Sequence, residues 1–214
     1  MRGSRGPAAG ARRVVTRVRQ VSAPRGWQRM LSGRRLAILD PSPLDVELDD
    51  IAHGIARVAR WNGQTRGDFP YSVAQHCCLV EAIAAQMEPG LDAKGRLAIL
   101  LHDASEYVVG DVVTPLKTAL GEPFRLIEAR LQSAIHVAFG LPSEPPEPIR
   151  RLTKRADRSA AWFEATRLAG FSHEEAGRVF GRPEEVTVDA EALLAPWSTE
   201  IAQARFIARV RDCI

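Results

Sequence analysis

From Val46 onward, apolar residues recur at helical spacing in block after block, and a glycine or proline breaker closes each block. That rhythm leaves little room for anything but packed helices. Ile51, Ile55, Val58 and Ala59 share one face before "RWNGQTRGDFPY" interrupts them. Ser72 stands where an N-cap belongs, and "VAQHCCLVEAIAAQM" runs on as a strongly apolar helix to Pro89-Gly90. A further helix is expected from about Asp92 to Val109, closing at Gly110. "EPFRLIEARLQSAIHVAFG" is amphipathic and stops at Gly140, "SEPPEP" links it to "IRRLTKRADRSAAWFEATRLAG", and three shorter helical stretches follow. Ahead of all these, "WQRMLSGRRLAIL" holds two short apolar runs around Ser32-Gly33, the pattern of one hairpin. The expected fold class is therefore all-α, a helical bundle with a small N-terminal β-hairpin, and no internal repeat suggests a solenoid.

A chain of 214 residues suits one domain, expected over residues 25–214. Residues 1–35 carry 10 arginines and no acid, which leaves 19 basic against 26 acidic groups in the remainder. The basicity of the whole therefore belongs to its start. Residues 1–24, rich in Gly, Ala and Arg without an apolar stripe, are expected to be a disordered tail. A nucleic-acid arm, a targeting peptide and an over-long start are three readings of it that the composition leaves open. No apolar run is long enough to span a membrane. Three cysteines, two of them adjacent, cannot build a disulfide framework, so a cytoplasmic location is expected.

The stretch "ILLHDASEYVVGDVVTPLK" carries the most chemistry. An apolar run leads into His102, Asp103 and Glu106, and four- and three-residue separations put these groups on one side of a helix end. An imidazole and an adjacent carboxylate can reach one divalent cation, and a carboxylate one turn on can stay unligated and move protons. A lone His-Asp pair is more often a solvated helix end. Two other helices change that balance, because His76 lies within "SVAQHCCLV" and Asp157 within "LTKRADRSAAWF". Cys77 and Cys78 point about 100° and 200° away from His76 around a helix and read as packing residues.

The order His, His-Asp, Asp, with "RW" ahead of "YSVAQH", then "LLHDASEYVVGDVVTPLK" and "KRAD", resembles the HD-domain metal-dependent phosphohydrolases. It is most similar to their 5′-deoxynucleotidase branch, which includes deoxynucleoside 5′-monophosphatases, dATP triphosphohydrolases and an oxetanocin-biosynthesis phosphohydrolase. The match spans about Trp27 to Phe163. The resemblance implies His76, His102, Asp103 and Asp157 as ligands of a divalent metal (Co, Mn, Mg, Zn or Fe), with Glu106 as the catalytic carboxylate. It implies Asp111 as a sugar reader placed with the catalytic group, Arg60, Lys117 and Lys154 as phosphate contacts, and Trp61 beside the nucleoside. A nucleotide substrate and a homo-oligomer are implied in the same way. "GDFPYS" is longer than the usual loop before the first histidine, which bears on Arg60 and Trp61.

Plainer readings stand beside these. Lys154 sits among Arg150, Arg151 and Arg155 on what could be a generic basic face, Asp111 could cap a turn after Gly110, and Trp61 could simply pack. The same motif set would also serve a hydrolase of a signalling nucleotide or nucleotide-like metabolite, or a non-catalytic nucleotide- or nucleic-acid-binding regulator.

Overall fold

The computed structural model describes residues 26–186 and 190–214. The basic tail expected over residues 1–24 lies outside them. Trp27–Arg29 (β1) pairs antiparallel with Arg35–Ala37 (β2), in the register Trp27 to Ala37, Gln28 to Leu36 and Arg29 to Arg35. Gly33, at φ 91°, makes the turn between them, a conformation that costs glycine little. Buried Asp50 fastens this hairpin to the helices by accepting from the Ser32 backbone N–H at 3.0 Å and from the Ser32 hydroxyl.

Ten α-helices follow among the described residues: Leu48–Ile55 (α1), Val73–Met87 (α2), Ala93–Leu100 (α3), Glu106–Val109 (α4), Thr114–Leu120 (α5), Glu122–Ala138 (α6), Glu147–Arg167 (α7), His173–Phe180 (α8), Ala190–Leu194 (α9) and Thr199–Arg211 (α10). The all-α expectation with a small N-terminal hairpin holds. α2 is the central rod. Eleven of its fifteen residues are buried, as expected of a helix that is apolar nearly all round, and it packs against α7, α3 and α10. Its start is where the sequence put it, with the Ser72 hydroxyl accepting from the Gln75 N–H at 3.2 Å. One acid inside this core is compensated: Glu81 is buried and held by Arg96, at 2.6 Å, and by Arg209.

One expected element breaks. The helix foreseen from Asp92 to Val109 ends at Leu100, and residues 101–105 form tight turns before α4 restarts at Glu106. Backbone hydrogen bonds there shorten to three-residue spans, from His102 to Ile99, Ala104 to Leu101, Glu106 to Asp103 and Tyr107 to Ala104. His102 and Asp103 therefore sit in a turn between two helices, not along a continuous one. α1 supports this turn from outside, since Gly54 lies so close to Tyr107 that an added Cβ would come within 2.6 Å of the tyrosine Cβ.

Candidate metal centre

Three segments bring the polar groups together. α2 supplies His76, the turn after α3 supplies His102 and Asp103, and α7 supplies Asp157. His76 Nε2 lies 3.2 Å from Asp157 Oδ1 and 3.5 Å from Asp103 Oδ2, and His102 Nε2 lies 3.2 Å from that same Asp103 oxygen. Ligand atoms of His76, His102 and Asp103 all fall within 4.8 Å of one another.

The outer nitrogens explain why this cluster suits a cation. His76 Nδ1 donates to Glu164 Oε1 at 2.6 Å, and His102 Nδ1 donates to the Ile99 carbonyl at 2.8 Å. In their neutral forms both rings are thereby fixed as the tautomer with a bare Nε2, and both Nε2 atoms are buried among carboxylate oxygens. Two unpartnered lone pairs facing two carboxylates are the donor set of a divalent cation with mixed N and O ligands. Without the cation, protons take over its electrostatic role. Burial and Arg60 oppose charging of His76, but Glu164, Asp103 and Asp157 outweigh them and lift its pKa well above the imidazole range. Low pH will accordingly compete with metal for these rings.

Glu164 was not foreseen. It is fully buried on α7, seven residues after Asp157, and its carboxylate gathers three groups. Besides His76, it accepts from Arg60 Nε and Nη2 at 3.2 and 3.1 Å and from Trp61 Nε1 at 2.9 Å. These bonds hold the Arg60–Gly63 turn in a rarely occupied conformation, with Trp61 at φ 58° and Asn62 at φ 50°. The signal in the sequence was an acid set among small and apolar residues in "SAAWFEATRLAG".

A cavity of about 770 Å³ opens over the cluster. Arg60, Trp61, Asp111 and Lys117 line it together with Asp103, Glu106 and Asp157. Arg60 Nη1 reaches toward Asp111 at 3.8 Å and Asp103 at 3.9 Å, so Asp111 faces the cavity. Lys117 is 2.7 Å from Glu128 and 3.7 Å from Glu106. Lys154 is exposed and does not line the cavity; Arg158, one turn further along α7, does. Trp61 packs with Phe171 and Phe180 at centroid distances of 5.8 Å, so its ring belongs to an aromatic cluster of which Phe180 also reaches the cavity wall. Cys77 and Cys78 are core residues, as expected, although the Cys77 thiol lies beside His102.

Glu106 is the group whose chemistry is most altered. It is 3% exposed, its Oε2 has no partner, and burial, Asp103 and Asp111 push its pKa up to about 8 against the pull of Arg60 and Lys117. A carboxyl whose pKa is raised on folding from 4.5 to about 8 is fully compatible with the fold below pH 4.5 and destabilises it progressively as pH rises through 8. In metal-free protein, Glu106→Gln should therefore melt at a relatively higher temperature as pH goes from 5 to 9, by roughly 5 °C or more at the alkaline end. Thermal unfolding in EDTA checks this. Parallel pH curves for the two proteins would show that Glu106 is not held protonated.

The fold and site define a mostly helical protein with a half-buried His/Asp cluster at the floor of an open cavity. No family model matches the chain. An uncharacterised protein of Rhodobacter capsulatus is 53% identical over 185 residues, covering 86% of this chain and 94% of that protein, and the chain belongs to the same family as it. The uncharacterised protein YfdR of Escherichia coli is 30% identical over 106 residues, half of this chain and 54% of YfdR.

Proposed function

We propose that this protein is a metal-dependent phosphohydrolase of nucleotides, with 2′-deoxynucleotides as the first candidates and either phosphate or triphosphate as the product. The observation that carries the reading is the pair of bare, buried Nε2 atoms of His76 and His102, facing Asp103 and Asp157 beneath a cavity of nucleotide size. Those four residues would hold a divalent cation. Once bound, such a cation supplies a Lewis acid for the phosphoryl oxygens and lowers the pKa of water.

The chain's own groups divide the remaining work. Glu106 Oε2, buried and without a partner, is placed to hand a proton to the leaving oxygen or to take one from the attacking water. Arg60 Nη1 and Lys117 Nζ put fixed positive charge at the cavity wall, where it favours a transition state that spreads negative charge over oxygen. Arg158 adds a third cation where Lys154 does not reach. Asp111 offers a hydrogen-bond acceptor for a sugar hydroxyl, and Phe180, backed by Trp61, offers an apolar wall for a base.

Among the described residues no helix is long and apolar enough to cross a membrane. A cytoplasmic location belongs to the same reading, supported by the unpaired, buried thiols of Cys77, Cys78 and Cys213. Self-association does too, with exposed Leu116, Leu120, Leu126 and Val137 on neighbouring α5 and α6 as apolar surface for it.

The deciding experiment incubates the protein with deoxy- and ribonucleoside mono-, di- and triphosphates in the presence of Mn²⁺, Co²⁺, Mg²⁺, Zn²⁺ or Fe²⁺ and resolves the products by chromatography. Metal-dependent release of phosphate or triphosphate, abolished by EDTA, is the expected result. Stoichiometric metal without turnover of any nucleotide would defeat the reading.

A further inference from the structure

The break between α3 and α4 leaves one rung of the helix ladder unmade. A continuous helix would run a hydrogen bond from the Ser105 N–H to the Leu101 carbonyl. Here that carbonyl accepts from the Ala104 N–H at 3.1 Å instead, and the Ser105 N–H turns to a side chain of another helix. That side chain is Gln132 of α6. Its Oε1 accepts from the Ser105 N–H at 3.2 Å and its Nε2 donates to the Leu101 carbonyl at 2.6 Å, which inserts the amide into the missing rung with donor facing acceptor at both ends. A side chain inserted in the ladder is one of the few causes of a sharp break in a helix.

The other hydrogen of the amide is engaged too. His136, one turn further along α6 and 2% exposed, places its Nε2 2.8 Å from Gln132 Nε2, and burial holds the pKa of this ring below the ordinary imidazole value, so its Nε2 accepts. With its oxygen and both hydrogens bonded, the amide has one orientation. Nothing between Leu97 and Val109 would break the helix by itself, because the stretch holds neither glycine nor proline and its apolar rhythm continues throughout. The wedge comes from α6.

We infer that Gln132 is a positioning residue of the His/Asp cluster: by occupying the rung between Leu101 and Ser105 it keeps this segment out of a continuous helix and sets His102 and Asp103 toward His76 and Asp157. In three-residue turns each residue advances about 120° around the axis, against about 100° in an α-helix. Closing the ladder would therefore swing His102 and Asp103 around the axis of α3 and carry their ligand atoms away from His76, with which they now lie within 4.8 Å. The inference rests on the reading of this cluster as a metal centre and on nothing about the substrate.

Gln132→Met keeps the length and helix propensity of the side chain and removes the amide, which frees the Ser105 N–H to return to the Leu101 carbonyl. In metal-free, isotope-labelled protein the Cα NMR signals of residues 101–105 should move toward those of a continuous helix, a change that lost stability alone does not produce. Calorimetric titration with Mn²⁺ should give an affinity about 10- to 100-fold below that of the unaltered chain, the usual effect of losing a group that orients metal ligands. His136→Phe leaves both bonds from Gln132 to the turn in place and should keep the unaltered affinity. Should Gln132→Met fail to fold because His136 Nε2 has lost its donor, the double variant with His136→Phe removes both partners together and carries the same two expectations. A folded variant without the amide that keeps full Mn²⁺ affinity, or whose signals over 101–105 stay where they were, overturns the inference alone. An unaltered chain that binds no Mn²⁺ defeats the metal-centre reading and this inference with it.

Discussion

Glu106→Gln should lower nucleotide turnover by about a thousandfold while leaving metal affinity within a factor of a few, whereas Asp157→Ala should lose the metal itself. The magnitude is that of a positioned proton-transfer group, roughly 10²- to 10⁴-fold. The separation of roles follows from geometry. Asp157 Oδ1 is 3.2 Å from the bare Nε2 of His76, so its removal takes a ligand atom from the donor set. Glu106 instead has a buried oxygen without a partner and a pKa near 8, and its nearest cation is Lys117 at 3.7 Å. Glutamine preserves its shape and its neutral form, and removes only the transferable proton. Calorimetric titration with Mn²⁺ beside single-turnover rates checks both halves. Equal metal loss in the two variants would mean that Glu106 is a ligand, and the proposed division of labour would fall.

Much of this arrangement could be read from the chain, and what could not has identifiable causes. Apolar periodicity located α2 and α6 because their burial is what the period records. Ser72 announced its helix because a hydroxyl at that position satisfies an otherwise unpaired N–H. Periodicity could not reveal that the helix before His102 ends at Leu100, because "RLAILLHDASEYVV" keeps its apolar rhythm while the backbone tightens into three-residue turns. Spacing along α7 did not separate Lys154 from Arg158 either. They lie one turn apart on one face, and only the position of the cavity along the helix axis distinguishes them. Seven of the ten anticipated site residues line the cavity, and His76 and His102 lie in the cluster beneath it; the residue that organises several of them, Glu164, has no motif of its own. Its role exists only where α2, α7 and the Arg60 turn meet.

Glu164 is therefore the position at which fold and site are most tightly joined, and Glu164→Ala should damage both. The substitution leaves His76 Nδ1, the Arg60 guanidinium and the Trp61 indole N–H without their shared acceptor, in a part of the molecule where Glu164 is fully buried. Removing one partner of a buried ion pair costs about 3–5 kcal/mol, which for a chain of this size is a melting-temperature loss of roughly 10 °C. Metal affinity should fall by about 10- to 100-fold, the usual effect of losing the group that orients a ligating histidine. Glu164→Gln separates structure from positioning. If its amide nitrogen faces His76, Nδ1 must accept, the proton moves to Nε2 and the lone pair that faces Asp103 and Asp157 is gone. If its oxygen faces His76, the amide hydrogens oppose Arg60 instead, and the guanidinium and the strained Trp61 turn are released into the cavity. Weaker metal binding marks the first outcome and a raised KM at unchanged metal affinity the second. A glutamine variant with wild-type metal affinity and wild-type KM would show that Glu164 serves only to stabilise the fold.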